Sequence, residues 1–166
     1  MMKFILFSLA LLFSNNHGQD PANFFKASFK DNSIITQMVQ DFSIPEILEA
    51  DIGNKHFNLL QAKTLNQKKI GLSGRESLPK DFGMIFLYDK KSVRQFWMQG
   101  MNFPLDFVWI DGDKIIQINE NISIQNFPPP ETIESQDPAD KVLELNAGTC
   151  KESNIKVGDS IRFIYD

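Results

Sequence analysis

Cysteine is almost absent from this 166-residue sequence: Cys150 is the only one. A single thiol excludes an internal disulfide and leaves Cys150 either buried or free to pair between chains. Histidine is nearly as scarce. His17 and His56 lie far apart, and no C-x-x-C or Cys/His cluster accompanies them. A His-based zinc site is therefore excluded, and no metal or cofactor is expected. Clustered positive charge is missing too. The 17 Lys and Arg stand against 21 Asp and Glu for a net −4. The pairs Lys68-Lys69 and Lys90-Lys91 read as solvated turns, so the electrostatic footprint of a nucleic-acid binder is lacking. No apolar run reaches the ~20 residues of a spanning helix. Two tyrosines against 15 phenylalanines favour core and pocket walls over a hydrogen-bonding surface.

Residues 1–18 carry the layout of an export signal. Lys3 precedes an apolar stretch from Phe4 to Phe13, broken only by Ser8. The expected setting is extracytoplasmic, secreted or periplasmic, with an uncleaved tether as the alternative and no integral span after processing. Residues 19–43 read as a variable arm, and a β-rich domain is expected over 44–166.

Within 44–166, short apolar runs alternate with turn residues. Gly53-Asn54 marks a turn, and His56 to Ala62 reads as a half-buried strand. Thr64 is placed to cap a short helix that stops at Gly71. Met84 to Tyr88 is a continuous apolar strand, followed by Asp89 to Ser92 as a polar turn. Phe96-Trp97-Met98-Gln99-Gly100-Met101-Asn102-Phe103-Pro104 links one strand to the next through a sharp bend. In Leu105 to Ile110, Leu105, Phe107 and Trp109 face one way and Asp106, Val108 and Ile110 the other. Both sides are apolar except for Asp106, so this strand is expected to be central and covered on both faces.

Asp111-Gly112-Asp113 signals a hairpin; EF-hand spacing is absent, which argues against calcium. Beyond it, Ile116, Ile118, Ile122 and Ile124 alternate onto one face, with Glu120 at a bulge or bend. Phe127 to Asp140 is a proline-rich acidic loop, either a connector or a lid. Lys141 to Leu145 is a strand, and Thr149 is placed to cap a short helix. Gly158-Asp159 turns into a last strand. The expected fold is mainly β: one compact antiparallel sandwich or barrel-like domain of about seven strands, with one or two short helices and no βαβ rhythm.

Five motifs in order resemble the domain of unknown function 192 family. They are Gly71-Leu72-Ser73-Gly74-Arg75, Gly83-Met84-Ile85-Phe86, the Phe96–Asp106 stretch with Pro104, Val142 to Gly148, and Ile155-Lys156-Val157-Gly158-Asp159. The resemblance covers about Phe57 to Phe163 and implies a compact β-rich fold behind an export signal, with no established activity. Where the family often carries a lysine after Trp-Met and a basic residue before Pro-Leu-Asp, this chain has Gln99 and Asn102.

Three functions follow from the residues. The first is a small-ligand-binding or accessory module, with candidate contacts Arg75, Trp97, Met98, Asn102, Asp106 and Glu144. The second is a hydrolase using Asp106 and Glu144 as acid and base, with Arg75 steadying an anion. The third is a protein-interaction domain working through a sheet edge, the proline-rich loop or Cys150. Against these stand plain packing for Trp97, Met98 and Met101, and a structural Arg75–Asp106 ion pair. The ion pair is favoured because a carboxylate on a covered strand needs a partner.

Overall fold

The computed structural model of the protein describes residues 45–124 and 132–165. Nine strands and two short helices occur among the described residues. In chain order they are β1 (Ile47–Ile52), β2 (Lys55–Ala62), α1 (Leu65–Ile70), β3 (Phe82–Ser92), β4 (Gln95–Trp97), β5 (Leu105–Asp111), β6 (Lys114–Ile122), β7 (Thr132–Glu134), β8 (Ala139–Asn146), α2 (Thr149–Glu152) and β9 (Ile161–Ile164). Seven strands form one sheet in the order β6-β5-β8-β3-β2-β1-β9, while β4 and β7 make a separate two-stranded ribbon.

The sheet curls until its two edges meet at one end. Ile115 donates its N–H to the Asp159 carbonyl at 2.9 Å, Gly158 to Ile115 at 2.8 Å and Ile161 to Asp113 at 2.9 Å. This is the barrel-like β domain expected from the spacing of strands and turns. Two-residue turns at Gly53-Asn54 and Gly112-Asp113 build its hairpins, each with its glycine at positive φ. The pairing is antiparallel except between β2 and β3, which run parallel. Their connection passes through α1, so one βαβ unit exists where none was expected.

The alternation in β5 places two cores on opposite faces. Val108 and Ile110 join Leu59, Ile85, Leu143 and Leu145 inside the curl. Leu105, Phe107 and Trp109 join Met84, Phe86 and Val142 on the outer face, under the α1 connection and the β4–β7 ribbon. Both faces of β5 are buried, as its sequence implied.

Several boundaries differ from expectation. The Asp89–Ser92 segment continues β3 rather than turning. The isoleucines of β6 do not share one face: Ile115 and Ile118 pack inside the curl, Ile116 and Ile122 on the outer face. Two register shifts against β5 cause the split, one beside Glu120, where Asn121 adopts φ 55°. Thr149 does not cap α2. The cap position is Gly148 at φ 84°, with no side-chain cap. The proline-rich loop falls partly in residues 125–131, outside the described residues, as do the signal-like segment and the arm. Of the loop's described part, Thr132–Glu134 forms β7 and Ala139-Asp140 begins β8. Among the described residues no helix is long and apolar enough to cross a membrane.

Candidate functional site

Asp106 is wholly buried on the inner face of β5. Its carboxylate accepts three backbone N–H bonds: from Asn121 at 2.8 Å, Gly148 at 3.0 Å and Cys150 at 2.9 Å. Those donors belong to the β6 bulge and the first turn of α2. A buried charge is tolerable when its lone pairs are met, and here peptide groups meet them. Arg75 takes no part. Its side chain is exposed, and its carbonyl accepts from the Asn102 side-chain amide at 2.8 Å. The expected Arg75–Asp106 ion pair is therefore not formed: a backbone cradle on the inner face already satisfies the carboxylate.

Asn102 still joins the two motifs. Gly74 donates its N–H to the Gly100 carbonyl at 2.8 Å, and the Ser73 hydroxyl donates to the Gln99 carbonyl at 3.1 Å. Gly100 sits at φ 77°, and an added Cβ there would lie 3.4 Å from Ser73 Cβ. Glycine thus allows the loop after α1 and the loop after β4 to run side by side. Met98 is fully buried beneath them as packing, and Trp97 stays about half exposed at 52%.

Between these loops and the outer face of the sheet lies a cavity of about 130 Å³. Phe86, Phe96, Trp97 and Met101 form its apolar walls, and Lys68 and Lys69 of α1 contribute to its lining. Phe96 reaches from β4 into edge-to-face contact with Phe86, Phe107 and Trp109, at centroid distances of 4.8, 5.6 and 5.7 Å. That packing holds the ribbon over the sheet. Lys68 lies over the Tyr88 ring at 4.4 Å, and Arg94 lies over the same ring at 3.7 Å.

Among the described residues the one acidic member of the lining is Glu144 of β8. In register it stands between Met84 and Phe107, on the outer face. It is 5% exposed, and among the described residues its Oε2 has no hydrogen-bond partner. Burial pushes its carboxyl up to about 8. Burial also raises the Tyr88 hydroxyl and lowers the Lys68 ammonium, each as the largest effect on that group.

The expected site residues therefore divide. Trp97 and Glu144 border the cavity, with Met101 beside them. Met98 and Asp106 are sealed in opposite cores, while Arg75 and Asn102 tie loops together. Asp106 and Glu144 point to opposite faces of the sheet and form no carboxylate pair. Gly71, Leu72 and Ser73 of the Gly-rich loop line the cavity, whereas Gly83 faces the inner core and takes no part in it. A Cβ on Gly83 would come within 2.9 Å of Leu145 and Leu59. Sequence reasoning missed Lys68 and Lys69, which read as a solvated turn. The signal was their place in the last turn of a capped helix; only the structure brings Lys68 over the Tyr88 ring of β3. A wider hollow of about 600 Å³ near Asn54, Lys80 and Asp159 is open and polar, and the Lys80–Glu152 ion pair at 3.2 Å lies within it. Among the described residues no group of acidic, histidine or cysteine side chains could hold a metal ion.

The family model DUF192, described as Uncharacterized ACR, matches residues 47–163. A crystal structure from Sinorhizobium meliloti, described as a candidate transcription regulator, is similar at 26% identity and a TM-score of 0.67. The match covers 73% of this chain and 96% of that one. A protein of unknown function from Novosphingobium aromaticivorans is similar at 25% identity and a TM-score of 0.65, covering 75% and 96%. No curated protein matches the sequence.

Proposed function

We propose that this chain, which belongs to the uncharacterised DUF192 family, is a module that binds a small ligand in the cavity under the α1 connection. The observation that carries this reading is Glu144: a buried carboxyl oxygen without a partner among the described residues, bordering an apolar cavity. Leaving a buried polar group unmet costs about 1–3 kcal/mol, and a ligand atom that meets it recovers that cost. The cavity of about 130 Å³ is near the ~150 Å³ that accommodates a benzene ring in an engineered protein core. Ligand-sized sites are commonly built this way, from apolar walls and one or two polar groups.

The regulator description of the Sinorhizobium protein would point to nucleic acid. The net charge of −4 and the dispersed basic residues favour a small molecule instead. The setting we propose is extracytoplasmic, on the charge-then-apolar layout of residues 1–18.

A thermal-shift screen of one-ring compounds tests the reading. Binding to the native state alone raises Tm by mass action. The expected result is a Tm rise with at least one compound that Trp97→Ala abolishes. Trp97 is half exposed, so its loss leaves the fold intact. A hit that Trp97→Ala and Glu144→Leu both leave unchanged would place binding elsewhere and overturn the proposal.

A further inference from the structure

The chemistry of the lining narrows the ligand class, on the reading that the cavity binds a ligand at all. Its walls are aromatic and thioether surface wide enough for one ring. Among the described residues Glu144 is the acidic lining residue, and its Oε2 is unmet. Lys68 and Lys69 lie on the α1 side of the cavity, and Arg94 stacks on the Tyr88 ring against which Lys68 rests. Lys68 lies near both Arg94 and the Asp89 carboxylate, and burial, the largest effect, lowers its ammonium; with Lys69 and Arg94 beside it, the rim still carries more positive than negative charge. Fixed positive charge at the rim repels an ammonium ligand and attracts a carboxylate.

We infer that the cavity takes a one-ring organic acid carrying a second oxygen acceptor. The ring fills the aromatic walls, the acceptor receives a hydrogen bond from the Glu144 carboxyl, and the ligand carboxylate meets Lys68 and Lys69 at the rim. With its carboxyl raised by burial to about 8, Glu144 holds a proton at neutral pH and can donate it. The groups facing it across the cavity are the two lysines and Tyr88, and the Tyr88 hydroxyl is raised above its ordinary value. An amine ligand would need the opposite arrangement, an ionised Glu144 and a rim without cations.

The probe that separates these is 4-acetylbenzoate, whose ketone only accepts and whose carboxylate stays ionised from about pH 6 to 9. Its cationic counterpart is 4-acetylbenzylamine. Isothermal titration calorimetry on the full chain is expected to find the acid binding and the amine at least about tenfold weaker. Glu144→Leu should weaken the acid about tenfold, the factor one lost hydrogen bond commands. Glu144→Gln, which keeps a donor, should hold most of the affinity. Raising the pH from about 6 to 9 should weaken the native chain but not the Gln variant. If neither probe binds while another one-ring compound of the thermal-shift screen does, the cavity reading stands and this inference is overturned; if no compound binds, both fall together. If the amine binds as well as the acid, or Glu144→Leu leaves the acid unaffected, the cavity reading stands and the acid-specific inference is overturned.

Discussion

Two buried carboxylates sit one strand apart in this sheet, and their surroundings assign them opposite roles. Asp106 faces inward and is met by three peptide N–H groups. Removing it orphans all three donors, of which the Cys150 N–H is buried and the other two are partly buried. Asp106→Ala should cost about 3 kcal/mol or more in urea unfolding, and a loss under about 1 kcal/mol would contradict the cradle. Glu144 faces outward, and among the described residues its Oε2 has no hydrogen-bond partner. Burial pushes its folded carboxyl up to about 8, from an ordinary value of 4.5. Between those two values the folded chain keeps a proton that the unfolded chain has released. Its stabilising contribution is therefore complete below about pH 4.5 and fades as pH rises toward 8. Measured unfolding free energy should fall over that window in the native chain, and Glu144→Gln should flatten the fall. A slope unchanged by the substitution would remove Glu144 as its source.

At the scale of elements, α1 is a six-residue helix with no buried residue of its own. Such a helix depends on its caps, because one and a half turns supply little cooperative bonding. Thr64 accepts the Gln67 N–H at 3.1 Å, and the Gln67 side chain accepts the Thr64 N–H at 3.0 Å. This reciprocal pair is visible in the sequence as Thr64-x-x-Gln67. Thr64→Ala should destabilise the protein by about 1 kcal/mol. Because α1 carries Lys68 and Lys69, faster amide exchange is expected at residues 67–71 before the sheet itself loosens. Equal loosening throughout would show that the cap does not govern the helix separately.

At the scale of the whole molecule, the curl encloses Cys150. The thiol is 0% exposed, and burial, followed by the nearby Asp106 charge, holds it well above the ordinary range. Pairing between chains through Cys150, which its solitary presence left open, is not available to the folded protein. A thiol reagent such as DTNB should leave the native chain unlabelled and react at once in urea above the unfolding midpoint. Labelling on mixing, under native conditions, would mean that the inner core opens locally around α2.

The sequence by itself determined the elements whose information is local. The Leu105–Ile110 alternation fixed a strand buried on both faces, because side-chain direction repeats every two residues whatever lies beyond. Gly53-Asn54, Asp111-Gly112-Asp113 and Thr64 declared their turns and cap for the same reason. Only the tertiary structure decided what depends on distant partners. The β6 isoleucines divided between two cores because bulges against β5 reset their register. Asp106 found peptide groups from α2 rather than Arg75, since the inward face of β5 meets that turn and the Gly-rich loop lies on the other side. Glu144 and the two lysines came together because β2 and β3 run parallel, which obliges the chain to cross over the sheet and carries α1 above β8. That crossover joins positions more than seventy residues apart, and no spacing within the sequence records it.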